Sequence, residues 1–490
     1  MRIRGAGVVL SLVCSIALCG AVVGARADTI VLKNGRRIVV DRATESGDKV
    51  VGETQAGEIS LPKSMVERIE HSSAAIPMTV ATDRTTCAGF VIAPPATQTE
   101  LTLDPEVAQA AVHDGAVDKV YIARLDGAAV SGAPGAASRA AAAHYAAAEF
   151  DTQKGNLSAA VDQERQALRF LPNSVPLLVG AAYGHLKLSE YSTALEYLTR
   201  AKRSAPDSPD VAKLSGWAEY GLNHIPEAVQ EWKRAQQLRP DPEVAKALEK
   251  AERDARAEND FRQGQTSHFV LRYSGAAQPG LAADILGTLE IHFEQIASLL
   301  DYTPPEAIGV ILYTNEQFED ITRAPAWAGA INDGRLRIPV QGLTSVTQQL
   351  SLVLRHELTH SFLQQKTRGR CPPWLHEGIA QWIEGRRVGP AAAGLLGAYD
   401  HQAGIPLTDL EVSWMSLSGT GASYAYAWSL AVVETILANN SMADLVRILD
   451  ALTASGSTEG AVRSVLHESY TELEQQTADY LRSTHGRNQQ

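Results

Sequence analysis

The sequence predicts a multidomain chain: a small N-terminal β-module, an all-α stack of repeated helix pairs, and a C-terminal α+β domain. Three observations carry this prediction. They are strand-like alternation around an Asn-Gly turn, a 34-residue period in the middle of the chain, and strands followed by a helix containing His-Glu-x-x-His. A length of 490 residues fits roughly two to four domains of about 100 to 200 residues each. Hydrophobic residues make up 45% and charged residues 20%, a balance that excludes a largely disordered chain.

Residues 1–27 place Arg2 and Arg4 before an apolar run from Val8 to Val23 and end in Ala25-Arg26-Ala27. That order is a secretory signal with cleavage after Ala27, so a periplasmic or secreted protein is expected. Losing Arg2, Arg4 and Arg26 with no acidic residue takes the formal net charge from -12 to -15. An acidic chain argues against nucleic acid or an anionic membrane surface as partner. Cys14 and Cys19 leave with the signal, and the remaining Cys87 and Cys371 are too few for a disulfide scaffold. No later apolar run of spanning length is free of charges; the stretch from Ala422 to Ala438 contains Glu434 and reads as a buried helix.

Within 28–72, "DTIVLKNGRRIVV" alternates apolar and polar residues around Asn34-Gly35, and "KVVGETQAGEISLP" repeats the pattern with Ala56-Gly57 at a turn. Four or five short strands are expected, forming an interaction or anchoring module without visible chemistry. Residues 73–138 are expected to include a flexible linker, because "DGAAVSGAPGAASRAAA" is rich in Gly, Ala and Ser. The part around Cys87 has no assigned element.

From 139 to 260 the period is explicit. Pro172, Pro206 and Pro240 are spaced by 34, as are Ala160, Ala194 and Ala228, and Ala167, Ala201 and Ala235. Alanine at crossing points lets antiparallel helices approach, and proline ends each second helix. This pattern resembles the tetratricopeptide repeat. Gly216 and Trp232 fall at that repeat's favoured positions, whereas the first repeat has Ala148 and Glu164 there. "DPEVAKALEKAERDARAEND" reads as a capping helix. The resemblance implies a groove that takes a peptide or protein partner.

The last segment, 265–485, opens with the alternating strand "HFVLRY" and a helix from Leu281 to Leu300. "IGVILY" follows as a strand buried on both faces, and "WAGAINDGRLRIPV" as another strand with a turn at Asn332-Asp333-Gly334. In such an arrangement an edge strand can run beside the next helix, from about 346 to 365. There His356 and His360 share one face, one turn apart, so both imidazoles can reach one ion. Glu357 is displaced round the helix and is free to address water. A second helix begins in "PPWLHEGIAQWIEG", with proline suited to its first turn. Glu377, 17 positions after His360, would complete a two-His, one-carboxylate set with a fourth zinc position open. His376 is the competing third ligand; it and Glu377 project about 100° apart, so only one can face the ion.

His356, Glu357 and His360, then Trp374-Leu375-x-Glu377-Gly378-x-Ala380 and Glu384, resemble the gluzincin metallopeptidases, and more closely the peptidase-MA-like domains of bacterial secreted proteins. The resemblance implies a Zn2+ cofactor on His356, His360 and Glu377, with Glu357 as general base. It also implies a tyrosine that stabilises the oxyanion, matched by Tyr424, with Tyr426 as the alternative. The zinc-aminopeptidase strand motif Gly-Ala-Met-Glu-Asn is matched here by Gly329-Ala330-Ile331-Asn332-Asp333. Asn332 in place of the glutamate favours an endopeptidase over an aminopeptidase. The expectation is zinc-dependent peptide-bond hydrolysis, with the repeats recruiting protein substrates or partners. The alternative is a repeat scaffold whose peptidase-like domain is inactive or tightly restricted.

Overall fold

A computed structural model describes residues 26–75 except 34–36, 41 and 55–56; residues 92 and 95; and residues 105–485 except 275–278, 314–330, 333, 341–342, 413, 415–416, 418 and 455–456. The expected leader up to residue 25, the Asn34-Gly35 turn, Cys87, Gly329, Ala330 and Asp333 lie outside the described residues.

Among the described residues the β-module has six strands: β1 (Arg26–Leu32), β2 (Arg37–Val40), β3 (Arg42–Ser46), β4 (Lys49–Thr54), β5 (Gly57–Pro62) and β6 (Val66–Ala75). They form two antiparallel three-stranded sheets, ordered β2-β1-β6 and β3-β4-β5. Val31 pairs with Arg37, whereas a two-residue turn at Asn34-Gly35 would pair Val31 with Ile38, so the β1–β2 register differs by one residue from the one that turn implies. Ile30, Ala43, Val50 and Val66 close a small core between the sheets. The strand that alternation did not reveal is β3, whose "RATES" carries almost no apolar residue.

The expected linker is in part a folded region. Helix α1 (Pro105–Ala111), a two-residue hairpin of β7 (Val112–His113) and β8 (Ala116–Val117), and α2 (Lys119–Val130) precede the long α3 (Ala136–Lys154). Val107, Ala111, Ile122 and Leu125 pack on Ala140, Ala143 and Ala147. The Ala-rich composition that reads as linker is also the best helix-forming composition, and small side chains let these helices pack closely. Asp118 caps α2, accepting from the Val120 and Tyr121 amides at 2.9 and 2.8 Å.

Helix pairs then recur with the period seen in the sequence. These are α4 (Leu157–Phe170), α5 (Val175–Lys187), α6 (Tyr191–Ser204), α7 (Pro209–Gly221), α8 (Ile225–Leu238) and the closing α9 (Pro242–Ala257). The periodic alanines 160, 194, 228, 167, 201 and 235 are all buried. At Gly216 of α7 a Cβ would overlap the buried ring of Trp232, so glycine is what lets α7 and α8 meet.

The C-terminal domain begins four residues earlier than expected, at β9 (Phe261–Gln265). It continues with β10 (Phe269–Ser274), α10 (Pro279–Leu300), β11 (Ile308–Tyr313), β12 (Ile331–Asn332) and β13 (Leu336–Pro339). The sheet order is β12-β13-β11-β10-β9, parallel in its centre and antiparallel at both edges. Among the described residues seven α-helices follow: α11 (Gln348–Lys366), α12 (Pro373–Glu384), α13 (Ala392–Asp400), α14 (Gly419–Asn439), α15 (Met442–Ala454), α16 (Thr458–Leu466) and α17 (Tyr470–His485). Among the described residues no helix is long and apolar enough to cross a membrane.

A buried ionic network ties α9 to this sheet. Arg337 on β13 makes a two-pronged bond to Asp254 (3.0 and 2.9 Å), and Arg335 makes another to Glu258 (2.9 and 2.8 Å). Tyr220 of α7 donates to Asp254 at 3.1 Å, and Tyr313 of β11 donates to Glu258 at 3.0 Å. Burial opposes ionisation of Asp254, but Arg337, Lys250 and Arg335 hold its carboxyl well below the usual range.

Candidate metal centre

The helix carrying His-Glu-x-x-His starts where the Thr347 hydroxyl accepts the Leu350 amide, 3.1 Å away. Leu350, Leu354, Leu358 and Phe362 form its core-facing stripe, which sets the rotation of α11. His356, Glu357 and His360 are buried as a consequence. Helix α12 follows a short connection, with Pro373 in its first turn. Gly378 packs on the Ser429 backbone of α14, where a Cβ would overlap the carbonyl, and this close contact helps seat Glu377.

The two helices bring ligand atoms of His356, His360 and Glu377 within 4.8 Å of one another. Nε2 of His356 lies 3.6 Å from Glu377 Oε2, and Nε2 of His360 lies 3.7 Å from Glu377 Oε1. Tetrahedral zinc with bonds of about 2.1 Å separates its ligand atoms by roughly 3.4 Å, close to these spacings. Neither carboxylate oxygen of Glu357 or of Glu377, and neither ring nitrogen of His360, has a hydrogen-bond partner among the described residues. Buried acceptors left unmade are costly, and a cation among them removes that cost. The donor set therefore fits a divalent metal of the zinc type.

Outside the ligands, Nδ1 of His356 lies 3.0 Å from Glu384 Oε2, and Arg386 Nε donates to the same oxygen at 2.8 Å. That pairing holds the Nδ1 proton toward Glu384 and leaves Nε2 as a lone-pair donor. Glu384 sits seven residues after Glu377, two turns on along the same face, and that spacing is the sequence signal for it.

The protein's own charges are unbalanced here. Burial pushes His356 down, but Glu377 and Glu384 outweigh it and raise it to about 10. Burial lifts Glu357 to about 7, with His356 opposing and Glu377 and Glu384 adding. Burial, together with His376 and His356, drives His360 well below its ordinary value. Glu377 is raised by burial against the pull of His356. A bound cation would favour ionised carboxylates and neutral imidazoles, opposing the shifts of His356, Glu357 and Glu377 and deepening that of His360.

His376 does not join the ligand group; its ring stacks on His360 at 4.6 Å, nearly parallel. Asn332, on edge strand β12, donates to the Glu357 carbonyl (2.8 Å) and to Ser361 (2.6 Å), so this strand does run beside the metal helix. Beyond standing where the aminopeptidase motif has a glutamate, Asn332 thus straps the strand to α11, a contact with no local sequence signal. Tyr424 is not brought to the cluster. Its ring stacks on Trp428 at 5.8 Å and lines a separate pocket with Tyr399 and Glu474. Tyr424 lies five residues before Ser429, about 140° round the helix from the face that packs on α12. Tyr426 packs against Trp414 (5.0 Å), and its carbonyl accepts from Gln381 at 3.0 Å. Cys371 is buried in the connection between α11 and α12.

No protein-family model and no curated protein matches this chain.

Proposed function

We propose that the chain is a zinc-dependent peptidase of the gluzincin kind, acting as an endopeptidase in the cell envelope or outside the cell, with tetratricopeptide-like repeats that recruit protein substrates or partners. The observation that carries this reading is the buried His356, His360 and Glu377 group beside a Glu357 whose carboxylate accepts no hydrogen bond among the described residues. His356, His360 and Glu377 would hold the ion. A zinc ion held there supplies Lewis acidity, polarising a substrate carbonyl and acidifying water.

The remaining work falls to the chain's own groups. Glu357 takes the proton of the attacking water and returns it to the leaving amine. Glu384, steadied by Arg386, orients the His356 ring, and Asn332 steadies the backbone at Glu357. Burial of His356, Glu357, His360, Glu377 and Glu384 excludes bulk water and strengthens each electrostatic contact.

The second reading is a repeat scaffold with a catalytically silent domain, and the placement of Tyr424 away from the cluster favours it. Glu357→Ala separates the two. Under the first reading, cleavage of a peptide library falls by at least about 10²-fold while bound zinc, measured by elemental analysis, is unchanged. Equal cleavage by both proteins would sink the mechanism, and purified wild type that takes up no zinc would favour the scaffold.

A further inference from the structure

A pocket of about 580 Å³ lies between α13, α14 and α17, apart from the metal ligands. Tyr424 and Trp428, one turn apart on α14, share its aromatic lining with Tyr399 from the last turn of α13. Trp428, itself buried, stacks on Tyr399 at 5.7 Å and on Tyr424 at 5.8 Å, with interplanar angles of 20° and 17°. A Cβ at Gly404 would overlap the Tyr424 hydroxyl, so glycine there is what leaves this tyrosine its place in the lining. The charged lining is negative on balance, with Asp400 and Glu474 against Arg482, its only cationic residue among the described ones. Arg482 is taken up by Asp400 and, at 2.8 Å, by Asp479. Burial raises the Glu474 carboxyl, opposed by the Leu407 amide, which donates to it at 2.6 Å, and by no cation. Burial raises the Tyr424 and Tyr399 hydroxyls too, and the charge of Glu474 adds to both shifts.

We propose that this pocket binds a quaternary ammonium group of the choline type, seated against the aromatic lining and balanced by Glu474. Aromatic rings attract a cation through their quadrupole, and a half-buried carboxylate without a cation of its own supplies the opposite charge. A primary ammonium would bring three N–H donors that each need an acceptor. Here the acceptors are engaged: Glu474 Oε1 by the Leu407 amide, Gln475 Oε1 by the Tyr399 hydroxyl at 3.0 Å, and Asp400 by Arg482. A trimethylammonium group has no N–H and buries methyl groups against the rings, so it asks only for charge and apolar surface. The volume lies within the roughly 300 to 1,000 Å³ of small-ligand pockets. Free choline and the choline headgroup of a lipid share this chemistry. The inference holds whether or not the metal centre hydrolyses peptides.

The test is isothermal titration of the full chain with choline chloride, with ethanolamine, and with dimethylbutanol, the uncharged carbon isostere of choline. Choline should bind, and the other two at least about tenfold more weakly. Tyr424→Leu, which removes a ring, should weaken choline about tenfold. Glu474→Gln keeps an acceptor for the Leu407 amide while removing the charge, and should weaken choline about fivefold at low salt; it keeps the test decisive if Tyr424→Leu folds poorly. Melting temperature and zinc content, unchanged in Glu474→Gln, confine its effect to the pocket. Sedimentation with phosphatidylcholine vesicles separates the two sources: co-sedimentation that Glu474→Gln weakens identifies the lipid headgroup, and choline binding without co-sedimentation identifies the free solute, and either supports the proposal. No binding of choline, equal binding of dimethylbutanol or ethanolamine, or unchanged choline affinity in either variant overturns it.

Discussion

Two clusters of buried charge sit within the same chain and are built in opposite ways. At the junction of the repeats and the sheet, all four carboxylate oxygens of Asp254 and Glu258 accept hydrogen bonds from arginine or tyrosine. In the helix pair α11 and α12, the four carboxylate oxygens of Glu357 and Glu377 accept none among the described residues. Burial is equal in the two places, so burial alone does not mark a functional site. What separates them is how the carboxylates are satisfied: those of the first cluster are paired as folded, although Arg335 Nε has no partner among the described residues, and those of the second are left open to a cation.

The largest expected effect breaks the comparison at the metal side. Glu377→Ala should remove stoichiometric zinc, read by elemental analysis, yet leave the melting temperature of the chelator-treated protein unchanged or higher, because an unpaired buried carboxylate is lost. A large drop in that temperature would show that Glu377 serves the fold. At the junction the sign reverses. Arg337→Met leaves Asp254 short of its main partner and should cost about 3–5 kcal/mol in denaturant unfolding, with zinc content unchanged.

Acid sharpens the contrast further. Asp254 is held well below its ordinary value, so its contribution is full above the unfolded value of 3.8 and is lost as pH falls through the lower folded value. Between pH 5 and pH 2 the wild-type melting temperature should fall more steeply than that of Asp254→Asn. Parallel curves would remove the carboxylate from the account of the junction. The smallest effect belongs to Tyr424→Phe, which should change kcat/KM by less than about twofold. A loss of 10²-fold or more would bring Tyr424 back to the reaction, as an oxyanion donor would require.

The parts of this molecule legible in its sequence are those set by local spacing. The 34-residue period of the prolines and alanines recurs in helices that begin at Leu157, Tyr191 and Ile225, because helix length, proline position and small crossing residues all lie within one repeat. The i, i+4 step placed His356 and His360 on one face for the same reason. Where composition was ambiguous the reading went astray. The alanines of α3 signal a linker or a helix equally, and only the packing of Ile122 and Leu125 against them chooses.

The sequence by itself therefore determined the repeats, the two helices of the candidate centre and the donor types they carry. Only the tertiary structure decided that Glu377 rather than His376 meets the two histidines, since that depends on how α12 rotates where Gly378 packs on Ser429. It alone joined Arg337 to Asp254, 83 residues apart, and turned Tyr424 toward Trp428. Helical periodicity is written within a few residues of chain. Which faces meet is settled by packing among segments far apart in sequence, and no local pattern encodes that.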